Sequence, residues 1–245
     1  MDQSLVAVVI PFHKPEPSPW EAASLLRAAS VLKNYPRIMV VPENMPTCNF
    51  SRLDPSLKFE YFPAEFFSSF SAHQTFCRSA SLYEIFLNYK YILWYHLDSY
   101  VFRDELVFWC NLNWDYVGGP WTKFEHVTSS LKWYRHFSSF LYPLMRKQGT
   151  GGFSLRKVET FYRASLAQEW LKKLLPNVNE DVYWACLGSL LHFPFKVADF
   201  KSSLRFSFDT YPDNCYQLND GHLPFGCHAW FRQGWEFWKK FIPPP

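Results

Sequence analysis

Four short stretches of this 245-residue chain hold side chains that could do chemistry. The first, YILWYHLDSYVF, runs from Tyr91 to Phe102. Its apolar row from Ile92 to Tyr95 reads as a buried strand, and His96, Asp98 and Ser99 follow at the tip. Open parallel sheets bind ligands beyond the carboxyl ends of their strands, where a carboxylate can hold a metal or a ribose without being buried unpaired. Asp is also a common turn residue, so this stretch alone better suits a cap for the turn into Val101 and Phe102. The second stretch, GTGGFSLR, sets Gly149, Gly151 and Gly152 close together. Glycine permits positive φ and close backbone approach to a ligand, and equally an ordinary tight turn. The third, NEDVYW, puts Glu180 and Asp181 at a helix start capped by Asn179. Carboxylates there either complement the helix dipole or supply a general base, and the nearby backbone N–H groups favour an ionised Asp181. The fourth, PFGCHAW, places His228 among aromatics after a glycine turn, as a structural hydrogen-bonder or as a ligand.

These residues need a scaffold. Leu5 to Ile10 is a β-branched run stopped by Pro11, suited to a strand buried on both faces. Ser18, Pro19 and Glu21 then open a helix with a capping box, and Ala22, Leu25, Leu26, Ala29 and Leu32 recur at helical spacing. Arg37 to Val41 is the next strand, which makes a β-α-β unit with a right-handed crossover. Lys58 to Phe62 reads as a third strand, Ala72 to Tyr89 as a helix, and Tyr91 onward as a later strand of the same sheet. In the second half, Asp115 to Trp121 reads as strand and turn, Val158 to Leu175 as a helix, and the stretch after Asn179 as another. The first half is therefore α/β with a mostly parallel sheet.

Bulk composition narrows the class. With 48% hydrophobic and 19% charged residues, the chain can build a large core, and disorder is disfavoured. The net charge of +3 and the lack of a dense Lys/Arg run argue against a dedicated nucleic-acid binder. Aromatics make up 20%, enough both to pack a core and to line a sugar or nucleobase site. The six cysteines, Cys48, Cys77, Cys110, Cys186, Cys215 and Cys227, form no C-x-x-C pair, which disfavours a zinc knuckle. The apolar run near the N-terminus reads as a strand rather than a signal peptide, and no stretch reaches the ~20 apolar residues of a membrane span. A soluble, cytoplasmic protein in a reducing compartment is the simplest expectation, and peripheral membrane association stays open.

The order of the four stretches is more specific than any one of them. The chain resembles the glycosyltransferase A-fold (GT-A) superfamily, which carries an Asp-x-Asp metal motif, a glycine loop, an acidic xED motif and a C-terminal His in this order. The matching positions are Asp98-Ser99-Tyr100, Gly149 to Phe153, Asn179-Glu180-Asp181 and His228. Over Val6 to Trp230 it is more closely similar to a group of small bacterial and viral glycosyltransferase-like domains, mostly uncharacterised. The resemblance implies one α/β domain over 1–245 with a mostly parallel central sheet flanked by helices. Its nucleotide-binding half would be 1–102, and its acceptor and catalytic half 103–245.

The implied reaction moves a sugar from a nucleotide-diphosphate-sugar donor to the hydroxyl of a saccharide or glycan acceptor, with inversion, in glycan or polysaccharide synthesis. Asp181 is then the expected general base, with Glu180 second. Pro11, Phe12, His13, Glu43, Asp98, Ser99, Gly151 and Gly152 are the expected donor-binding residues. Asp98 and His228 would hold a divalent metal, Mn²⁺ or Mg²⁺, with water and the diphosphate completing the shell. Tyr100 departs from the motif, since it replaces the second Asp, and this leaves metal dependence open; Arg or Lys could neutralise the leaving group instead. The stretch from Trp121 to Tyr142, with Trp133 and Tyr134, is an acceptor platform or core packing. Two other readings stand beside this one. One is a module that binds a nucleotide-sugar without catalysis. The other is a nucleotidyltransferase, which would prefer a Gly-rich signature after the first strand that PFHKPEP lacks.

Overall fold

The computed structural model describes residues 3–122, 148–175, 178–191 and 194–245. The first strand, β1 (Ser4–Pro11), is buried from Val6 onward and lies inside a six-stranded sheet. The other strands are β2 (Arg37–Pro42), β3 (Lys58–Phe62), β4 (Tyr89–Tyr95), β6 (Tyr116–Gly118) and β7 (Phe153–Lys157), in the order β3-β2-β1-β4-β7-β6. β3, β2, β1 and β4 pair in parallel, and β7 runs antiparallel to both of its neighbours. The sheet is thus mostly parallel and is covered on both faces, as the near-continuous apolar strands require. Ala7, Val9, Ile92 and Trp94 face one layer, which holds Phe161 and Ala164 of the helix Val158–Ala167. Val8, Ile10, Leu93 and Tyr95 face the other, which holds Leu25 and Ala28 of the helix Pro19–Val31. That helix opens with the expected capping box, in which Ser18 Oγ accepts from Glu21 N and Glu21 Oε2 accepts from Ser18 N.

Three expected helices differ. The segment 72–89 is two short helices, Phe70–Phe76 and Ala80–Glu84, and β4 already begins at Tyr89. Ser79 lies between them and caps the second by accepting from Leu82 N, a role serine fills better than a helix interior. The segment 158–175 breaks at Gln168, whose amide is held by Gly188 O and Tyr183 Oη. After Asn179, which makes no side-chain cap hydrogen bond, the helix Glu180–Val182 passes into a π-helical stretch, Tyr183–Gly188. Such π-turns recur near functional sites.

A second, three-stranded sheet has the order β5 (Tyr100–Val101), β9 (Gly226–Cys227), β8 (Ser207–Phe208). It rests on a C-terminal aromatic cluster of Phe208, Trp230, Phe237 and Trp238 packed with Trp20. Trp230 Nε1 ties that cluster to the helix Pro19–Val31 through Ser24 Oγ, at 2.9 Å. Trp94, Trp109, Trp184, Trp230 and Trp238 are all fully buried, so much of the aromatic content is core. Trp133 and Tyr134 lie outside the described residues. None of the six cysteines forms a disulfide, and only Cys48 is exposed.

Candidate active site

The two sheets meet at the site. β1 ends at Pro11, β4 ends at Tyr95, and the reversed strand β7 starts at Phe153. The loops Pro11 to Lys14, His96 to Asp98 and Gly151 to Gly152 therefore share one edge of the large sheet. Two hydrogen bonds pin the turn there, from His96 N and Ser99 Oγ to Gly152 O, at 3.0 and 3.2 Å. The small sheet supplies the rest. Tyr100 pairs with Cys227 and Phe208 with Cys227, so Asp98, His228 and Asp209 lie in a row at one end of it. His228 Nε2 is 3.2 Å from Asp98 Oδ1, and Nδ1 is 3.1 Å from Asp209 Oδ2. Arg232 Nε meets the other Asp98 oxygen at 3.1 Å. Ala229, directly after His228, takes a left-handed conformation with φ 53°, which costs a non-glycine residue roughly 1–3 kcal/mol.

This row sets the local charges. Burial opposes ionisation of Asp98, but the charge and hydrogen bond of His228, with His96 and Arg232 beyond, outweigh it and hold the carboxyl well below its usual range. Burial likewise opposes the imidazolium of His228, and the carboxylates of Asp98 and Asp209 overcome it, so the ring stays protonated well above its usual value. His96 goes the other way: burial and then the charge of His228 keep it neutral.

The acidic pair splits into two roles. Glu180 Oε1 accepts from Arg156 Nη2 at 3.0 Å, and Arg156, fully buried, also donates to Ser154 Oγ, Tyr83 Oη and Gly151 O. Glu180 is thus the counter-ion of a buried arginine, although its Oε2 is buried without a hydrogen-bond partner among the described residues. Asp181 is half-buried and makes no ion pair among the described residues, with Oδ1 accepting from Val182 N at 2.7 Å. The expected low pKa of Asp181 is overturned. Burial, followed by the charge of Glu180, pushes it up to about 7, which outweighs the backbone N–H. The two glycines serve the same cluster. A Cβ on Gly151 would collide with Glu180 Oε1, and one on Gly152 with the His228 ring.

Two adjoining pockets open here. A cleft of about 440 Å³ is lined by Pro11, Phe12, His13, Lys14, Asp98 and Arg232, among others. A smaller one of about 290 Å³ is lined by Trp121, Gly151, Gly152, Glu180, Asp181 and Asp209, among others. His96, His228, Phe70 and Gln74 belong to both. Of the expected site residues, Ser99 is fully buried in the turn and lines neither pocket. Glu43 lies in a separate, shallow depression with Asn44, Met45 and Tyr61. His96, Asp209, Arg232 and Lys14 line the pockets without having been assigned from sequence. His96 stood in plain view two residues before Asp98. Asp209 carried no signal, because its place depends on the pairing of β8 with β9.

Among the described residues one group of metal-capable side chains converges: His96, Asp98 and His228, with ligand atoms within 4.8 Å of one another. The hydrogen bonds decide which of them fit. Asp98 offers carboxylate oxygens suited to Mg²⁺ or Mn²⁺. His228 offers Nε2 once that nitrogen loses its proton, while Asp209 retains the Nδ1–H, as outer-shell carboxylates do for metal-bound histidines. His96 does not fit in this tautomer, because its Nε2 accepts from Trp94 Nε1 at 3.0 Å and its Nδ1 then carries the ring proton. A donor set of Asp98 and His228 suits a cation that takes few protein ligands.

The architecture matches solved glycosyltransferases. The galactosyltransferase LgtC, in complex with donor and acceptor sugar analogues, superposes with a TM-score of 0.55 at 11% identity, covering 91% of this chain and 86% of that one. The apo form of the bifunctional glycosyltransferase WbbM gives 0.56 at 15% identity over 92% of this chain, which spans 45% of WbbM. Core-mannan synthase A (CmsA/Ktr4) from Aspergillus fumigatus, in an Mn/GDP form, gives 0.54 at 11% identity, covering 81% and 73%. The fold is that of the GT-A glycosyltransferases. The chain belongs to the family described as "Protein of unknown function (DUF5672)", whose model matches residues 56–228. That span includes Asp98, the glycine loop, Glu180, Asp181, Asp209 and His228. No curated protein matches the chain. No helix among the described residues is long and apolar enough to cross a membrane.

Proposed function

We propose that this protein is a glycosyltransferase that moves a sugar from a nucleoside-diphosphate-sugar to a hydroxyl of a saccharide or glycan acceptor, with inversion. The observation that carries the reading is the meeting of Asp98, His228 and Asp181 around two adjoining pockets on a GT-A fold. The larger pocket, built mainly from 1–102, takes the nucleotide against Phe12 and His13. The smaller, built mainly from 103–245, takes the sugar and the acceptor, with Trp121 as an apolar wall. Asp98 and His228 would hold a divalent metal, which when bound would supply positive charge at the leaving diphosphate. Arg232 and Lys14 add charge at the mouth of the cleft. Asp181, with its pKa near neutrality, is matched to accept a proton from the attacking hydroxyl at working pH. The acceptor oxygen bonds to the anomeric carbon, the bond from that carbon to the phosphate oxygen breaks, and its electron pair leaves with the nucleoside diphosphate. Glu180 holds Arg156 and shapes the glycine loop rather than acting as the base. Cytoplasmic glycan or polysaccharide synthesis is the setting that fits such a reaction.

The test is release of free nucleoside diphosphate from a panel of sugar donors with saccharide acceptors. Asp181→Asn should lose ~10²–10⁴ in turnover with donor affinity nearly intact, and the product anomer should be inverted. A retained rate, or a retained anomer, would remove Asp181 from the role of base. A second reading, binding without catalysis, draws on Asp98, whose two oxygens are both engaged by the chain's own cations. Donor binding without any release would select it.

A further inference from the structure

His96 stands where the two pockets meet, and neither metal binding nor proton abstraction uses it. The ring is half-buried at the end of β4 and lines both pockets. The rings of His73 and His228 flank it, with centroids 5.7 and 5.4 Å away. Trp94 Nε1 donates to His96 Nε2 at 3.0 Å. An indole N–H can only donate, so Nε2 is the bare nitrogen and the neutral ring carries its proton on Nδ1. Nδ1 makes no hydrogen bond among the described residues. The strand thus delivers a donor of defined tautomer that no described residue uses.

The bond that breaks in glycosyl transfer joins the sugar to the diphosphate. A donor with its nucleotide in one pocket and its sugar in the other must put that bond at their junction, beside His96. We propose that His96 is a catalytic residue of this site, a neutral, tautomer-locked donor whose Nδ1–H hydrogen-bonds the diphosphate oxygen that leaves the anomeric carbon. The proposal rests on the glycosyl-transfer reading given above. No proton moves to or from His96: the leaving oxygen gains negative charge, and the fixed N–H stabilises it as it develops. Trp94 is then a positioning residue, acting only through the tautomer it imposes.

The experiment uses the full chain with ¹⁵N-labelled histidine. Long-range ¹H–¹⁵N spectra should show His96 protonated on Nδ1, and Trp94→Phe should release it to a mixture of tautomers. UDP and GDP, each added with Mg²⁺, should shift the His96 Nδ1–H signal on binding. In the transfer assay His96→Asn, whose amide N–H overlies Nδ1, should keep turnover within about tenfold. His96→Gln, whose amide reaches toward the Nε2 position, should lose ~10²–10³ in turnover with little change in donor KM. An Nε2-protonated ring would overturn the proposal. So would a bound diphosphate that leaves His96 unmoved, or Asn and Gln variants that fold alike and lose turnover alike. A wild-type chain that binds neither UDP nor GDP would overturn the glycosyl-transfer reading together with this one, whereas binding with a silent His96 overturns this one alone.

Discussion

Two clusters of paired charge lie on either side of the glycine loop, and they are built differently. Arg156 and Glu180 form the inner one. Arg156 is fully buried, stacks its guanidinium 5.1 Å from the Trp94 ring and spends its donors on Glu180, Ser154, Tyr83 and Gly151. Asp98, His228, Asp209 and Arg232 form the outer one, in which Asp98 is buried but Arg232 is 57% exposed. The inner cluster cannot rearrange without stranding a charge in the core. In the proposed reaction the outer one would exchange Arg232 or the Nε2 proton of His228 for an incoming cation or phosphate. A carboxylate–cation pair therefore serves as scaffold or as site according to whether water and ligand can reach it, not according to residue type.

This contrast can be broken or sharpened by measurement. The largest effect belongs to the inner pair. Arg156→Met leaves Glu180 buried without its counter-ion and should cost ~3–5 kcal/mol in urea unfolding. Arg156→Met with Glu180→Gln should recover part of that, whereas Arg232→Met should cost under ~1 kcal/mol. Equal losses at Arg156 and Arg232 would erase the distinction.

Asp209→Asn tests the outer cluster at a smaller scale. It withdraws the carboxylate that orients His228 and should weaken Mn²⁺ binding ~10–100-fold, read by titration with UDP present, while the unfolding midpoint barely moves. Unchanged Mn²⁺ affinity would remove Asp209 from that role.

The smallest effect concerns Asp181, the acid that neither cluster neutralises. Its folded pKa of about 7 lies above the ordinary value of 3.8, so the folded chain holds this proton more tightly than the unfolded one. The stability it contributes is complete below about pH 4 and is lost as pH rises through about 7. Asp181→Asn does not ionise, so its advantage over the wild type should grow between those limits and level off above them. Partial exposure at the pocket and solvent screening there limit the gain to about 1 kcal/mol, seen as a raised melting temperature at pH 8 and not at pH 4. A pH-independent difference would return Asp181 to an ordinary carboxyl.

Much of this molecule is determined locally, and those parts are legible in the sequence. Val6 to Ile10 and Ile92 to Tyr95 are apolar on both faces, which only a covered, mostly parallel sheet satisfies. Ser18, Pro19 and Glu21 specify a helix start with their own side chains. The order Asp98, glycine loop, Asn-Glu-Asp, His228 points to the fold that the solved glycosyltransferases share. What the tertiary structure decided are the pairings. Glu180 and Asp181 are adjacent and chemically alike, yet one pairs with Arg156 from β7 and the other faces a pocket and makes no ion pair among the described residues. Their different roles depend on a strand more than twenty residues away. Asp209 reaches His228 only because β8 and β9 lie side by side, and Glu43 leaves the cleft because β2 ends one strand beyond β1. The raised pKa of Asp181 has the same origin. A helix start by itself would lower it, and only burial beside Glu180 reverses the sign, because desolvation and the field of a neighbouring charge are properties of packing and not of the segment.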